Sequence, residues 1–322
     1  MNLLTKIFLV VLRIAIGWHL LYEGITKLQT YQSETTANWS AEGYLRNSSG
    51  PFKEHFRNLI PDVFGFERLS VDGAKTEWEV MLSHVAEDYE FTPQQRQNGQ
   101  ELVSQAVTQW KDRLAEPENK KKLDEYLEGM NEWLEREKKP MAPTFKTELR
   151  EDRGDLVAER REMLGWYDSQ TGDLEEQILA LRSEAQAAIE PTFRFDRLDS
   201  LQQANLGTAW GLTICGGLLL VGLFSRLAAL GGACLLALFY FSLPPWPGLP
   251  VPPKVEGTYM IVNKNLIEMI ALLMLATTSS GVWGGLDALI RGFITGPLFG
   301  IGRPKVEKAK ASSPDADDQT KK

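Results

Sequence analysis

Four apolar runs, each close to the length of a membrane-crossing helix, constrain this 322-residue chain more than any other feature. They cover residues 7–28, 206–224, 227–243 and 259–277. A bilayer core of about 30 Å needs a helix of roughly 20 apolar residues, so each run predicts a transmembrane helix. A cleaved signal peptide is the alternative for the first run. The charged Arg13 in mid-run and the lack of a small-residue cleavage site favour a retained helix.

A long polar insertion, residues 29–205, separates the first two runs. It holds 22 basic and 35 acidic residues, whereas the rest of the chain holds 13 basic and 8 acidic residues. The mean hydropathy of -0.23 therefore averages two unlike regions. An acidic insertion excludes nucleic acid as its partner, because a phosphate backbone binds basic surfaces.

The insertion is predicted to be mostly helical. Thr92, followed by Pro93 and Gln95, is typical of a capped helix start. Apolar residues at spacings of three and four predict helices over residues 93–114, 117–139, 148–166 and 172–189. Segment 39–72 is rich in aromatic residues, Gly and Pro, and we expect it to be irregular and to pad the helices against the membrane.

The sequence thus predicts an all-α membrane protein: a bundle of four transmembrane helices with a large helical extracytoplasmic insertion between helices 1 and 2. Its parts are helix 1 (1–28), the insertion (29–205), helices 2–4 with an interfacial or re-entrant segment at 282–301 (206–302), and a disordered cytoplasmic tail (303–322). Basic residues of the short loops, such as Lys6, Arg226 and Arg291, gather at one end of the bundle. The positive-inside rule places that end in the cytoplasm.

Ionisable side chains inside apolar runs are costly and mark candidate functional sites. The candidates are Arg13, His19, Glu23 and Lys27 on the first run, within an arc of roughly 120°, and Lys264, Asn265 and Glu268 on the fourth run. Two interpretations stay open. The groups form a polar pocket between helices 1 and 4 that binds a carbonyl-bearing ligand, or they pair only with one another and lock the bundle. No His or Cys spacing in the sequence is typical of a metal site.

Three sequence elements carry a resemblance to a known family. The first run has Arg13, Gly17, Gly24 and Lys27, a Gly-Leu-Phe-x-Arg turn runs from Gly222 to Arg226, and Asn265 begins the polar part of the fourth run. In this order they resemble the DoxX/DoxD family of four-helix membrane proteins, which includes the DoxD-type small subunit of thiosulfate:quinone oxidoreductase. The match covers about a third of the chain and leaves out the insertion, which ordinary members lack.

The resemblance implies a subunit of the bacterial inner membrane that is linked to quinone and to a redox partner subunit. In that membrane, the orientation given by the basic loops places the insertion in the periplasm. The sequence has no haem, flavin or iron–sulfur motif, so electrons would need quinone or a partner to carry them. Whether the chain is itself catalytic, as part of a quinone-dependent oxidoreductase, stays open. The rival hypothesis is a non-enzymatic scaffold whose acidic insertion docks an extracytoplasmic partner. A transporter is a third hypothesis, for which four spans would need a homo-oligomer.

Overall fold

The computed structural model describes residues 1–31, 38–139, 143–249 and 259–292, and the described backbone is helical without any strand. In chain order its α-helices are α1 Leu3–Thr30, α2 Glu42–Arg46, α3 Lys53–Arg57, α4 Val71–Asp88, α5 Pro93–Ala115, α6 Pro117–Glu137, α7 Pro143–Leu179, α8 Glu184–Ala187, α9 Ser200–Val221, α10 Ser225–Ser242, α11 Lys264–Ala276, α12 Ser280–Gly284 and α13 Asp287–Ile290. A 3₁₀ turn, Phe195–Arg197, precedes α9.

Three of these helices, α1, α9 and α10, are long and apolar enough to cross a membrane. They have 28, 22 and 18 residues and contain most of the first three predicted runs. Large apolar side chains such as Phe8, Trp18 and Leu227 are more than half exposed on their outer faces. This arrangement is compatible with a bundle surrounded by lipid.

The fourth predicted run is helical over only part of its length. Helix α11 has 13 residues, or about 20 Å at 1.5 Å per residue, which is shorter than a bilayer core. Its predicted start at residue 259 is wrong, because Tyr259 and Val262 pair with each other in a tight turn. The helix begins after Asn263, whose side chain accepts a hydrogen bond from the backbone N–H of Leu266 at 3.0 Å. Helix α11 packs along α10 and also touches α1.

The segment after α11 folds back against the bundle. Helix α13 lies within the stretch 282–301 that was predicted to be interfacial or re-entrant, and α12 overlaps its start. Residues 293–301 of that stretch, and the predicted disordered tail 303–322, lie outside the described residues. Of this stretch the structure describes residues 282–292, where α12 packs against α1 and α13 follows α12. The interfacial or re-entrant position stays a prediction.

Glycines bring α1 and α9 into close contact. A Cβ atom added to Gly17 would lie 2.7 Å from the backbone nitrogen of Leu220, and one added to Gly24 would lie 2.5 Å from that of Thr213. A Cβ at Gly216 would lie 2.7 Å from the Cα of Leu21. Any side chain at these positions would push the two backbones apart, which is the small-residue packing that bilayer helices favour.

The insertion forms a separate helical unit with an aromatic core. Trp78 of α4 stacks on Tyr167 of α7 with ring centroids 5.6 Å apart, and Trp110 of α5 meets the edge of the same ring at 5.7 Å. Both tryptophans are fully buried. The predicted start of α5 is confirmed, because the side chains of Thr92 and Gln95 form a capping box.

Two predictions for the insertion need correction. The helices predicted over 148–166 and 172–189 are instead one helix, α7, and the short α8. The second helix was predicted to begin at Gly172, but a glycine inside a helix costs only about 1 kcal/mol and does not end α7. Burial of Tyr167 before it and of Leu174 after it offsets that cost. Helix α4 was not predicted, although Trp78, Leu82 and Ala86 follow a four-residue spacing that indicates one buried face.

Segment 39–72 contains the five-residue helices α2 and α3, and it is otherwise irregular up to the start of α4 at Val71. It contacts one end of the bundle. The amide oxygen of Asn205 on α9 accepts a hydrogen bond from the N–H of Ala41 at 2.8 Å. The last carbonyl of α10, at Ser242, accepts from the N–H of Ser49 at 3.2 Å and from the hydroxyl of Ser48 at 2.7 Å. The insertion therefore rests where α1 ends and α9 begins.

Candidate functional site

Three polar residues of α1 lie one turn apart along one face of the helix. His19, Glu23 and Lys27 are separated by four residues each, and an α-helix completes a turn in 3.6 residues. Their side chains therefore climb α1 towards the end that carries the insertion. Helix α11 passes beside α1 at the level of the lowest of them, His19.

A contact between His19 and Glu268 joins the two helices. The Nδ1 atom of His19 lies 2.8 Å from Oε1 of Glu268. A carboxylate only accepts hydrogen bonds, so Nδ1 carries the proton in this pair. The imidazole side chain is 44% exposed and the carboxylate 14% exposed, so the pair opens to the surface of the bundle. The second ring nitrogen, Nε2, makes no hydrogen bond to the described residues and is available to a ligand.

Glu23 and Lys27 form a second pair one turn higher. The ammonium of Lys27 donates to Oε2 of Glu23 at 2.6 Å and to its backbone carbonyl at 3.2 Å. It also lies 5.1 Å from the ring centroid of Trp39, a residue of the insertion. Trp39 is fixed there by its N–H bond to the hydroxyl of Thr30 at 2.8 Å. The insertion thus covers the upper end of this polar face.

Lys264 and Asn265 lie at the start of α11. Lys264 is exposed, and its charge acts on His19 and on Glu23 without a direct hydrogen bond. Asn265 is half-buried. The capping asparagine of α11 is Asn263, which the sequence analysis passed over. Its signal was a short polar side chain directly before an apolar helical run.

Arg13 does not lie with the other candidates. It is 1% exposed and donates from Nη1 to the carbonyl of Ser280 and from Nη2 to that of Gly284, each at 2.8 Å. It stands six residues from His19, or about 9 Å along the helix axis, towards the opposite end of the bundle. Its position next to Gly222 explains that glycine, since a Cβ there would lie 2.5 Å from Nη1 of Arg13 and the residue has φ +70°.

The turn around Gly222 is held by Asp287, which the sequence pattern does not identify as a candidate. Its carboxylate accepts from the N–H groups of Phe224 at 2.7 Å and Ser225 at 3.1 Å, which are unpaired donors at the start of α10. Arg226 donates to the carbonyl of Thr278 at 2.9 Å. Two elements of the resemblance thus have structural contacts within the chain. Gly222 packs against Arg13, and Arg226 binds a backbone carbonyl.

A second buried polar cluster lies in the insertion, at its junction with segment 39–72. Arg57 binds both carboxylate oxygens of Glu137, at 2.7 and 2.8 Å, and donates to the carbonyl of Ser48 at 3.0 Å. Arg153 donates to the carbonyl of Arg46 at 2.6 Å. The guanidinium groups of Arg57 and Arg153 lie 5.9 and 5.1 Å from the ring centroid of Trp133.

Burial governs the ionisation of this cluster. Desolvation and the nearby charge of Arg57 lower the pKa of Arg153 to about 9, and desolvation with the charge of Arg160 lowers the pKa of Arg46 to about 10. Burial pushes the pKa of Glu137 upward, but its hydrogen bonds and charge contacts with Arg57 outweigh burial and leave that pKa below its ordinary value. The arginines chiefly hold loop carbonyls, so the cluster stabilises the junction.

Comparison with protein families, with curated proteins and with solved structures gives no match to this chain. The His19–Glu268 pair, which joins α1 to α11 and opens to the surface of the bundle, is the candidate site.

Proposed function

We propose that this chain is a multi-pass membrane protein whose helix α11 completes a four-helix bundle with α1, α9 and α10. In this proposal the insertion is extracytoplasmic, and the bundle binds a quinone or a similar lipophilic carrier in the groove between α1 and α11. The chain acts as a DoxX-like inner-membrane subunit that works with a redox partner. The carrier brings the electron chemistry, and this chain supplies the binding site.

The His19–Glu268 contact is the observation that carries the proposal. Ionisable groups inside an apolar bundle are costly and face its interior or a polar cavity. A pair needed only to lock helices would be buried, yet the imidazole of His19 is 44% exposed. An exposed, uncommitted Nε2 suits a ligand that arrives through the lipid.

The chemistry of the pair fits a carrier with interconverting carbonyl and hydroxyl groups. With Nδ1 donating to Glu268, a neutral His19 presents an accepting Nε2 to a hydroxyl group. A protonated His19 presents a donating Nε2 to a carbonyl oxygen. The carboxylate of Glu268 stabilises the protonated form, so one residue serves both states of the carrier.

A binding measurement tests this function. Decylubiquinone should bind the protein in lipid nanodiscs and quench its tryptophan fluorescence, and His19→Gln should weaken binding at least tenfold, because the group facing the carrier is lost. The control is His84→Gln, which changes a histidine of the insertion and should leave binding unchanged. Absence of saturable quenching in the unaltered protein, or equal binding by His19→Gln, would contradict the proposal.

A second candidate function, docking of an extracytoplasmic protein, is favoured by one groove on the insertion. It lies between α4 and α5 with a volume of about 540 Å³, and its rim carries Lys75, Glu79 and Arg96. A photoreactive residue placed at the exposed Ser83 of this groove should then give one discrete adduct in native membranes. The same residue at Ser169, exposed on α7, should give none. Equal labelling from both positions would count against docking in the groove.

A further inference from the structure

On α1, ionisable side chains follow the His19–Glu268 pair at intervals of one turn in the direction of the insertion. Towards the insertion, Glu23 stands one turn above His19, and Lys27 one turn above Glu23. These steps cover eight residues, or about 12 Å, and end under Trp39. The side chain of Glu23 is 45% exposed, so a polar path leads from the pair to the end of the bundle where the insertion rests.

In the other direction the described residues of the bundle offer no such path. Residues 14–18 of α1 and residues 269–276 of α11 contain no ionisable side chain. The next charged group is Arg13, about 9 Å below His19 on α1. Arg13 is buried, and its guanidinium is already bound to two backbone carbonyls, so it does not extend a path for protons.

The other packed helices add no charge near the pair. Residues 206–221 of α9 and 227–242 of α10 contain no Asp, Glu, Lys, Arg or His. The charged groups that act on His19 are therefore Glu268 and Lys264 of α11 and Glu23 of its own helix, with Lys27 paired to Glu23. All of them lie at the level of His19 or on the insertion side of it.

We propose that the His19–Glu268 pair exchanges protons with water on the insertion side of the membrane and is closed to the opposite side. Hydronium in the water on the insertion side gives up a proton, which passes along the carboxylate of Glu23 and binds Nε2 of His19. When His19 releases the proton, it returns to that water by the same route. This inference rests on the proposed function, since it identifies the side that supplies the proton when a carrier changes between its carbonyl and hydroxyl forms.

A thiol at position 19 reports which side sets its protonation. His19→Cys is made in a background with Cys215→Ala and Cys234→Ala and studied in right-side-out and inverted membrane vesicles. A neutral, membrane-permeant methanethiosulfonate reagent reaches the thiol from both sides but reacts only with the thiolate. The labelling rate therefore follows the pH of the compartment with which the thiol exchanges protons.

Raising the pH by one unit on the insertion side should raise the labelling rate about tenfold, as the thiolate fraction does below the thiol pKa. The same step on the opposite side should leave the rate unchanged. A rate that follows the opposite side, or both sides equally, overturns the proposal. Ala15→Cys, one turn below on α1, is the matched control and should respond to neither side.

The route through Glu23 is tested in the same reporter. Glu23→Leu should reduce the change in labelling rate per unit of insertion-side pH at least tenfold. Glu54→Leu, at an exposed site on the insertion, should leave that change as it is. The double change Glu23→Leu with Lys27→Leu avoids an unpaired cation and should act as Glu23→Leu does. An unchanged response in both variants overturns the route. The readout contains no quinone, so failure of decylubiquinone binding would be seen separately and would leave this result intact.

Discussion

The bundle and the insertion are both helical, yet they are packed in opposite ways. In the bundle, α1 and α9 meet where side chains are missing, at Gly17 and Gly216. In the insertion, α4, α5 and α7 meet through the largest side chains available, Trp78, Trp110 and Tyr167. One interface needs the absence of a Cβ atom and the other needs whole aromatic rings.

The surroundings explain this difference. In water, burying large aromatic surfaces drives helices together, because apolar area leaves the solvent. In lipid the solvent is itself apolar, so close backbone approach and van der Waals contact must hold the helices. The packing style is thus an independent indication of which part of the chain lies in lipid and which in water.

Arginine plays the same part in both regions. Arg13 of the bundle donates to the carbonyls of Ser280 and Gly284, the first and last residues of the short helix α12. In the insertion, Arg57 donates to the carbonyl of Ser48 in a turn. The five donors of a guanidinium suit irregular backbone that has lost its helical partners. Removing one of these buried charges should therefore destabilise either region. Changing side-chain volume at the helix contacts should distinguish the two regions, because the bundle cannot accept added volume and the insertion cannot lose it.

The largest effect is expected from Trp78→Ala in the insertion. The ring is 0% exposed and stacks on Tyr167, so the change leaves a cavity and should lower the free energy of unfolding by roughly 3–5 kcal/mol. Urea denaturation of the detergent-solubilised protein, followed by circular dichroism, measures it. Val80→Ala, half-exposed on the same helix, is the control and should cost far less. Equal losses would show that the aromatic stack does not hold the insertion.

The ion pair between Arg57 and Glu137 should give the next largest effect. Glu137→Ala leaves the guanidinium of Arg57 without its carboxylate, at a cost of about 3 kcal/mol, the lower end of the range for buried pairs because Glu137 is 18% exposed. The control is Glu135→Ala, which removes a pair with Lys138 on the surface. Denaturation midpoints should fall for the first variant and stay nearly constant for the second.

Acid should weaken the same pair without removing the side chain, so its effect should be smaller. The pKa of Glu137 in the folded state lies below its ordinary value of 4.5. A lowered carboxyl pKa gives stability that is present above the unfolded pKa and is lost as the pH falls through the folded pKa. The urea concentration at the denaturation midpoint should therefore fall as the pH is lowered below about 4.5. Glu137→Gln should lose part of that dependence, and an identical pH profile would contradict the assignment.

A glycine of the bundle should respond to added volume. Gly216→Ala places a methyl group 2.7 Å from the Cα of Leu21, and the shift of α1 should cost about 1–3 kcal/mol. Gly207→Ala, on the same helix with open space around it, should be neutral or slightly stabilising because alanine favours the helix. Thermal inactivation in detergent compares the two variants. Equal thermal stability of the two variants would show that close backbone contact does not hold the bundle together.

Much of this fold follows from sequence patterns. Hydropathy locates α1, α9 and α10, and the capping residues at Thr92 locate the start of α5, because these signals act over a few neighbouring residues. The length of α11 and the continuity of α7 through Gly172 do not follow. The start of α11 is set by the capping residue Asn263, a local signal that hydropathy does not detect. The continuity of α7 depends on burial against the rest of the insertion, which overrides the low helix preference of glycine.

The candidate site is predicted only in part for a related reason. The spacing of His19, Glu23 and Lys27 identifies one face of α1, since helical geometry is local. The partner of His19 on α11 and the separation of Arg13 from both depend on how far each helix slides past its neighbour. Periodicity within a helix does not determine that register, so Arg13 was grouped with side chains from which it lies apart.

The smallest effect is expected at a helix end in the insertion, where neither packing style operates. The hydroxyl of Thr92 accepts from the N–H of Gln95 at 3.3 Å, and the side chain of Gln95 accepts from the N–H of Thr92 at 2.9 Å. Thr92→Ala removes the first bond and should cost about 1 kcal/mol. Thr108→Ala, an exposed threonine in the middle of α5, is the control and should change stability little. Because the cap acts through local backbone donors, its effect should be additive with that of Trp78→Ala in a double variant. A marked departure from additivity, measured by the same urea denaturation, would mean that the start of α5 and the aromatic core form one coupled unit rather than two.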